Sequence, residues 1–338
     1  MMFRRIVLSA ALLAAAGLAP AFAQQFKFRV ADVYPVNHTV PNSTIKVFMT
    51  ELEKKLGDKI KFEYYPAEQL GKGKDLLSLT QTGVVDIGLI VPSYISDKMP
   101  LSAVDELPGS YKTSCKATMA MYQLVTKGVL AKDEFAANGV HVLIAHSFAP
   151  FQAFSSKPFD GLKGYAGQKL RTLGLVTDMT IKAMGAVPIR IAAPDINQAL
   201  NRGTIDGGLM GIATAVSYDL TPYLKSASYG ENFGGAFVAY AISEANWKKL
   251  PADVQAAMTE AGANATRNGC SFADKAVDEE YAKLKKAGVD VVRLSDEDRK
   301  TFDGRTADIG QEWAKELDKR GKPGTEVLNA FTSALKAD

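Results

Sequence analysis

The sequence predicts an α/β protein of two similar lobes, each a mostly parallel sheet flanked by helices. An octapeptide occurs twice, GVVDIGLI at 83–90 and GTIDGGLM at 203–210. The copies agree at Gly83/Gly203, Asp86/Asp206, Gly88/Gly208 and Leu89/Leu209, with β-branched Val85/Ile205 between. Each copy ends a strand–helix–strand–helix–strand run, the pattern of parallel strands joined by helical crossovers. The chain has 338 residues, and setting 23 aside leaves 315, long for one core.

Those 23 residues read as a secretory signal peptide. Arg4 and Arg5 precede an uncharged apolar run at 6–18, and Ala21, Phe22 and Ala23 form a small-x-small cleavage signal. The run is short for a membrane span. An exported, periplasmic protein beginning at Gln24 is expected. Lys and Arg number 40 against 37 Asp and Glu; without Arg4 and Arg5 the balance is 38 to 37. Such neutrality gives no reason to expect a nucleic-acid partner.

In the first lobe, 26–34 reads as a strand. Ile45, Phe48, Met49, Leu52 and Leu56 have helical spacing, and Gly57 stops that helix. A second strand covers 59–65, a helix 74–81, and the octapeptide supplies the third strand. In the second lobe the same order runs through a strand at 168–173, a helix at 177–184, a strand at 187–191, a helix capped by Asp195 and the second octapeptide. A strand at 235–243 follows. A helical stretch from Pro251 to about Ala287 is long enough to cross both lobes, with Gly262 and Gly269 as expected kinks. A strand at 289–294 and amphipathic helices at 295–320 and 325–337 complete the chain. The division expected is a signal peptide at 1–23, lobe I from 24–147 with 236–275, and lobe II from 148–235 with 276–338.

Catalytic patterns are missing: the sequence holds no HExxH, no GxSxG and no Walker loop. His141 and His146 flank one strand on opposite faces, unsuited to sharing a metal. No metal and no cofactor are expected. Cys115 and Cys270 lie in different predicted helices, 155 residues apart; an exported chain permits a disulfide, and two separate buried thiols are the alternative. Export, two α/β lobes and no catalytic group suggest a binding protein that closes on a ligand between its lobes.

Two segments carry a family resemblance. YYPAEQLGKGKDLLSLTQTGVVDIGLI (64–90) and LKGYAGQKLRTLGLVTDMTIKAMGAVPIRIAAPDINQALNRGTIDG (162–207) resemble DctP-type substrate-binding proteins of tripartite ATP-independent periplasmic (TRAP) transporters. The resemblance implies a two-lobed periplasmic-binding-protein fold joined by crossing strands and a long helix. It also implies that Arg171, in the strand QKLRTL, clamps a ligand carboxylate, and that the partners are a small and a large integral membrane subunit. A planar guanidinium can grip both carboxylate oxygens, which lysine cannot.

The departures from the family pattern lean apolar. Met210 replaces an asparagine, Phe151 stands where acidic-sugar binders carry a second arginine, Ala193 replaces an aromatic residue, and Val91 and Pro92 follow the first octapeptide. Tyr94 and Phe233 are expected to add to the lining, with Asn37 and His38 reaching a 2-oxo or hydroxyl group. A monocarboxylate with an apolar or aromatic body is the expected ligand. The alternatives are a secreted enzyme using Asp86, Asp206 or His38, and a ligand-binding sensor subunit.

Overall fold

A computed structural model describes residues 25–337 of the protein. The signal-peptide expectation lies outside the described residues. The strands are β1 (Phe26–Ala31), β2 (Ile60–Tyr65), β3 (Ile87–Ile90), β4 (Val140–Ser147), β5 (Gln152–Ser155), β6 (Lys169–Thr172), β7 (Val187–Arg190), β8 (Gly207–Met210), β9 (Ser226–Ser228), β10 (Phe237–Ser243) and β11 (Asp290–Val292). The helices are α1 (Thr39–Ser43), α2 (Ile45–Leu56), α3 (Leu76–Gln81), α4 (Ser114–Thr126), α5 (Leu175–Ala183), α6 (Ile196–Asn201), α7 (Ile212–Ser217), α8 (Glu244–Trp247), α9 (Ala252–Lys286), α10 (Asp296–Thr306), α11 (Ile309–Lys319) and α12 (Gly324–Lys336).

Two sheets form among these residues, ordered β2-β1-β3-β10-β4 and β11-β9-β5-β8-β6-β7. In each, three strands run parallel (β2-β1-β3 and β7-β6-β8), and the next strand, β10 or β5, joins antiparallel. The repeated octapeptides supply β3 and β8, the third members of the two parallel sets. Asp86 and Asp206 do the same work there. Asp86 accepts the backbone N–H of Arg29 at 2.8 Å, and Asp206 that of Lys169 at 2.8 Å. Each aspartate also donates its own N–H to that residue's carbonyl. Both carboxylates therefore pin one parallel strand to the next, an architectural role.

The crossing segments are paired. Phe148 N–H donates to Ala236 O at 3.0 Å, Phe151 N–H to Gly234 O at 2.8 Å, and Phe233 N–H to Phe151 O at 3.2 Å. Helix α9, with 35 residues, is roughly 50 Å long at about 1.5 Å per residue. Its first half buries Val254, Met258, Ala261 and Ala265 against the first lobe; Tyr281 and Leu284 join the second lobe's apolar cluster. The helix runs unbroken through Gly262 and Gly269. A Cβ on Gly262 would meet Leu143 O at 2.1 Å, and one on Gly269 would meet Thr44 Cγ2 at 2.4 Å. These glycines let the helix lie close to β4 and to the α1–α2 junction.

Cys115 and Cys270 form a disulfide joining α4 to α9, which decides the alternative the sequence left open. The expected helix at 295–320 divides into α10 and α11. Helices α11 and α12 pack through Trp313, Leu317, Val327 and Phe331 into the cluster that holds Phe237, Ala239 and Val142 of the first sheet. The same cluster takes in Val176 of α5, so these terminal helices cover an apolar face to which both halves of the chain contribute.

Candidate ligand-binding site

Arg171 is the third residue of β6, in register with Gly208 of β8. Alternation sends Leu170 into the apolar cluster shared with Leu209 and turns Arg171 to the other face. A Cβ on Gly208 would lie 2.6 Å from Arg171 Cβ, so the bare glycine gives the arginine stem its room. Nε donates to Ile191 O at 2.8 Å and Nη1 to Leu209 O at 3.1 Å. The residue is 2% exposed. Among the described residues it makes no ion pair. Burial lowers its pKa, while Tyr94, Tyr34, Tyr218 and Glu106 act in the opposite direction. A guanidinium has five N–H groups, and backbone carbonyls take two here. A buried cation without a counter-ion destabilises a fold unless an anion visits it.

The surroundings are aromatic. Tyr34 stacks on His38 at 4.1 Å, and His38 meets the edges of Phe148 and Tyr218 at 6.3 and 6.2 Å. Phe148 in turn packs edge-on with Phe151 at 6.1 Å. Tyr34 and His38 follow β1, Tyr218 follows α7, and Phe148 and Phe151 belong to the crossing segment, so both lobes contribute. The lobes touch here. Tyr218 Oη donates to Val33 O at 3.2 Å, Ala193 N–H donates to Tyr94 Oη at 2.8 Å, and Asn37 Nδ2 donates to Ser217 O at 3.4 Å.

His38 is fully buried. Its Nδ1 accepts the Val40 N–H at 3.1 Å, which places the ring proton on Nε2, an atom with no partner among the described residues. Burial pushes its pKa down to about 3, so the ring is a neutral donor. A cavity of about 400 Å³ opens between Gly73, Ser93 and Tyr94 of one lobe and Leu173, Ile191 and Ala192 of the other. A larger one, about 580 Å³, lies beside Tyr229 and Tyr281. Arg171 lines neither; the smaller is bounded by Tyr94 and by Ile191, whose carbonyl accepts from Arg171 Nε, so we take the smaller as the opening toward Arg171.

The remaining expected lining residues are dispersed. Val91 is buried in the apolar cluster that also holds Ile87 and Leu89, and Pro92 opens the turn that presents Ser93 and Tyr94. Met210 shares Arg171's face of the sheet, but its side chain is fully buried with Phe154, Ala193 and Ile196. Phe233 packs edge-on against Phe302 at 4.8 Å, and Asn37 is exposed. Tyr34, Phe148 and Tyr218 were missed by the sequence reading. Tyr34 was findable, since it follows a strand's carboxyl end, where open α/β sheets bind ligands.

Comparisons with known proteins bear on the fold and the family. The family model for bacterial extracellular solute-binding protein, family 7 (DctP), matches residues 30–316. The C4-dicarboxylate-binding periplasmic protein DctP of Rhodobacter capsulatus is 25% identical over 297 residues, covering 83% of each chain. A TRAP solute-binding protein from Rhodoferax ferrireducens, solved with copurified benzoate, superposes with a TM-score of 0.83 at 21% identity, covering 92% of this chain and 98% of that one. A TRAP periplasmic solute-binding protein from Bordetella bronchiseptica with bound mandelate superposes at 0.82, with the same identity and coverage. With most of its length matched by the model, the chain belongs to the DctP family of bacterial extracellular solute-binding proteins.

Proposed function

We propose that the protein is a periplasmic receptor that binds a monocarboxylate with an apolar or aromatic body between its lobes and delivers it to the small and large membrane subunits of a TRAP transporter. The observation that carries this reading is Arg171, buried among aromatic side chains and, among the described residues, in no ion pair. One guanidinium neutralises one carboxylate; a second would be desolvated unpaired, at about 1–3 kcal/mol or more. Tyr34, Phe148, Phe151 and Tyr218 offer a ring faces and edges, and His38 Nε2–H offers one donor to a 2-oxo or hydroxyl oxygen. Relatives bound to benzoate and mandelate support an aromatic acid, and the C4-dicarboxylate-binding relative marks the competing class. The enzyme alternative loses its aspartates to strand pinning.

A thermal-shift panel of aromatic acids, aliphatic keto acids, dicarboxylates and sugar acids tests the ligand class. Stabilisation by aromatic or apolar monocarboxylates is expected. Stabilisation by dicarboxylates alone would overturn the class while keeping the receptor reading, and turnover of the bound acid would overturn the receptor reading itself. Small-angle scattering should show a smaller radius of gyration with ligand.

A further inference from the structure

Glu106 ends the 3₁₀ segment Leu101–Glu106 and is 1% exposed. Among the described residues it makes no ion pair. Neutral donors hold its carboxyl group: Ser93 Oγ donates to Oε1 at 2.5 Å, and Thr177 N–H and Oγ1 donate to Oε2 at 3.3 Å. Ser93 is a wall of the candidate site's cavity, and Thr177 lies in the first turn of α5 in the other lobe. A Cβ on Gly174 would come within 3.5 Å of Oε1, so the second lobe closes directly onto this group. The charged and titratable groups facing it are Asp105 on its own segment, Asp178 on α5 (paired with Arg190), Tyr111, and Arg171, which feels its field. Burial above all pushes its pKa up to about 7.

Two buried groups bear most directly on an incoming anion, the Arg171 cation and the Glu106 carboxyl group; Asp105 and Asp32, also buried, are held away from it by Ser147 and Tyr111 and by Tyr34, Tyr64 and Tyr240. A ligand carboxylate added at Arg171 leaves the set of Arg171, Glu106 and ligand net negative if Glu106 is ionised, which a low-dielectric interior opposes, and neutral if Glu106 is protonated. We infer that binding of the ligand carboxylate is coupled to uptake of one proton from solvent by Glu106. This rests on the reading of Arg171 as the carboxylate clamp. The ligand anion is a like charge and raises the Glu106 pKa further. Affinity therefore climbs as pH falls from the ligand-bound value toward about 7 and levels off below it. The gain is about tenfold for each unit by which the ligand raises Glu106.

Two measurements test this. Infrared difference spectra of the ligand-free protein, titrated from about pH 5 to 9, should show a buried carboxylic-acid band lost near neutrality. Asp105 adds to this band, so the diagnostic part is the one that moves to higher pH when ligand is added: it should be absent in Glu106→Gln and retained in Asp105→Asn. Calorimetry with benzoate, or with whichever panel acid gives the largest thermal shift, is run slightly above neutral pH in phosphate and in Tris. The apparent enthalpies should differ by the buffer's ionisation heat in proportion to proton uptake, and Glu106→Gln should abolish the difference. Buffer-independent enthalpies in the unmodified protein, or uptake surviving in Glu106→Gln, overturn the proposal even if Glu106→Gln folds poorly. Failure of the clamp reading looks different: the acid binds Arg171→Ala as tightly as the unmodified protein, whatever the infrared titration gives. Binding by no acid at all overturns both.

Discussion

In the first lobe Asp86 holds the strand of Arg29, and Gly88 stands beside Ala31; in the second Asp206 holds the strand of Lys169, and Gly208 stands beside Arg171. The likeness extends to side chains, since Arg29 Nη2 donates to Gly83 O and Lys169 Nζ to Gly203 O, both at 2.7 Å. Two residues further along the strand pair the lobes part in function. Ala31 fills a core position, while Arg171 brings to the cleft a guanidinium that makes no ion pair among the described residues. The repeated motif builds the platform, and function enters where the repeat diverges. A second divergence directly follows the aspartates, where the first lobe has Ile87 and the second has Gly207. A Cβ on Gly207 would lie 2.0 Å from Phe154 O, so β5 presses on β8 more closely than any side chain permits.

Restoring the symmetry should be most damaging there. Gly207→Ile is expected to destabilise by about 3 kcal/mol or more and to leave little folded protein, because backbone blocks the new side chain. Denaturant unfolding measures it; stability like that of the unmodified protein would show that β5 can move aside.

Removing the functional divergence should separate binding from stability. Arg171→Lys keeps the charge but loses the planar fork, and binding should weaken by about 1.5–3 kcal/mol in calorimetry. Arg171→Met should abolish binding yet leave the ligand-free fold as stable or more so, since a buried cation with no ion pair among the described residues gives way to an apolar side chain. A marked loss of stability in Arg171→Met would assign the residue to the architecture instead.

The paired aspartates should behave alike. Asp86→Ala and Asp206→Ala are each expected to destabilise by about 1–3 kcal/mol, the usual consequence of losing charge-assisted hydrogen bonds to backbone. Neither should change ligand affinity by more than a small factor. A large loss of affinity in only one of them would break the equivalence.

The smallest expected effect is on pH dependence. Burial raises Asp32 to about 6 and Asp105, Glu134 and Glu280 to about 7. Each carboxyl binds its proton more tightly in the folded chain, so the stability it favours is present at low pH and is lost as pH rises from the ordinary carboxylate range toward about 7. Glu63 and Asp318, both lowered, oppose this only at more acidic pH. Melting temperatures should therefore fall between about pH 5 and 8, and Glu134→Gln should flatten the slope.

Much of the fold was legible because its signals are local. Apolar spacing marked α2, glycines at helix ends marked the turns before β3 and β8, and the octapeptide repeat exposed the doubled architecture. Arg171 was legible only through its motif, since a lone arginine in a strand otherwise reads as surface. Phe233 and Met210 were harder, because apolar side chains look alike whether they line a cleft or fill a core.

The sequence by itself determined the element order, the two related units, the pinning aspartates and the position of the one arginine that breaks the repeat. These follow from backbone propensity, alternation and turn chemistry, which act over a few residues. Tertiary structure decided what lies far apart along the chain, 71 residues for Glu106 and Thr177 and 155 for the two cysteines. It bonded Cys115 to Cys270, laid α11 and α12 on an apolar face to which both halves of the chain contribute, drew Tyr34, His38, Phe148 and Tyr218 together, and set Glu106 against Thr177. Such meetings depend on which apolar faces remain to be covered once both sheets exist, and on desolvation, which acts on a charge only after the two lobes have closed around it.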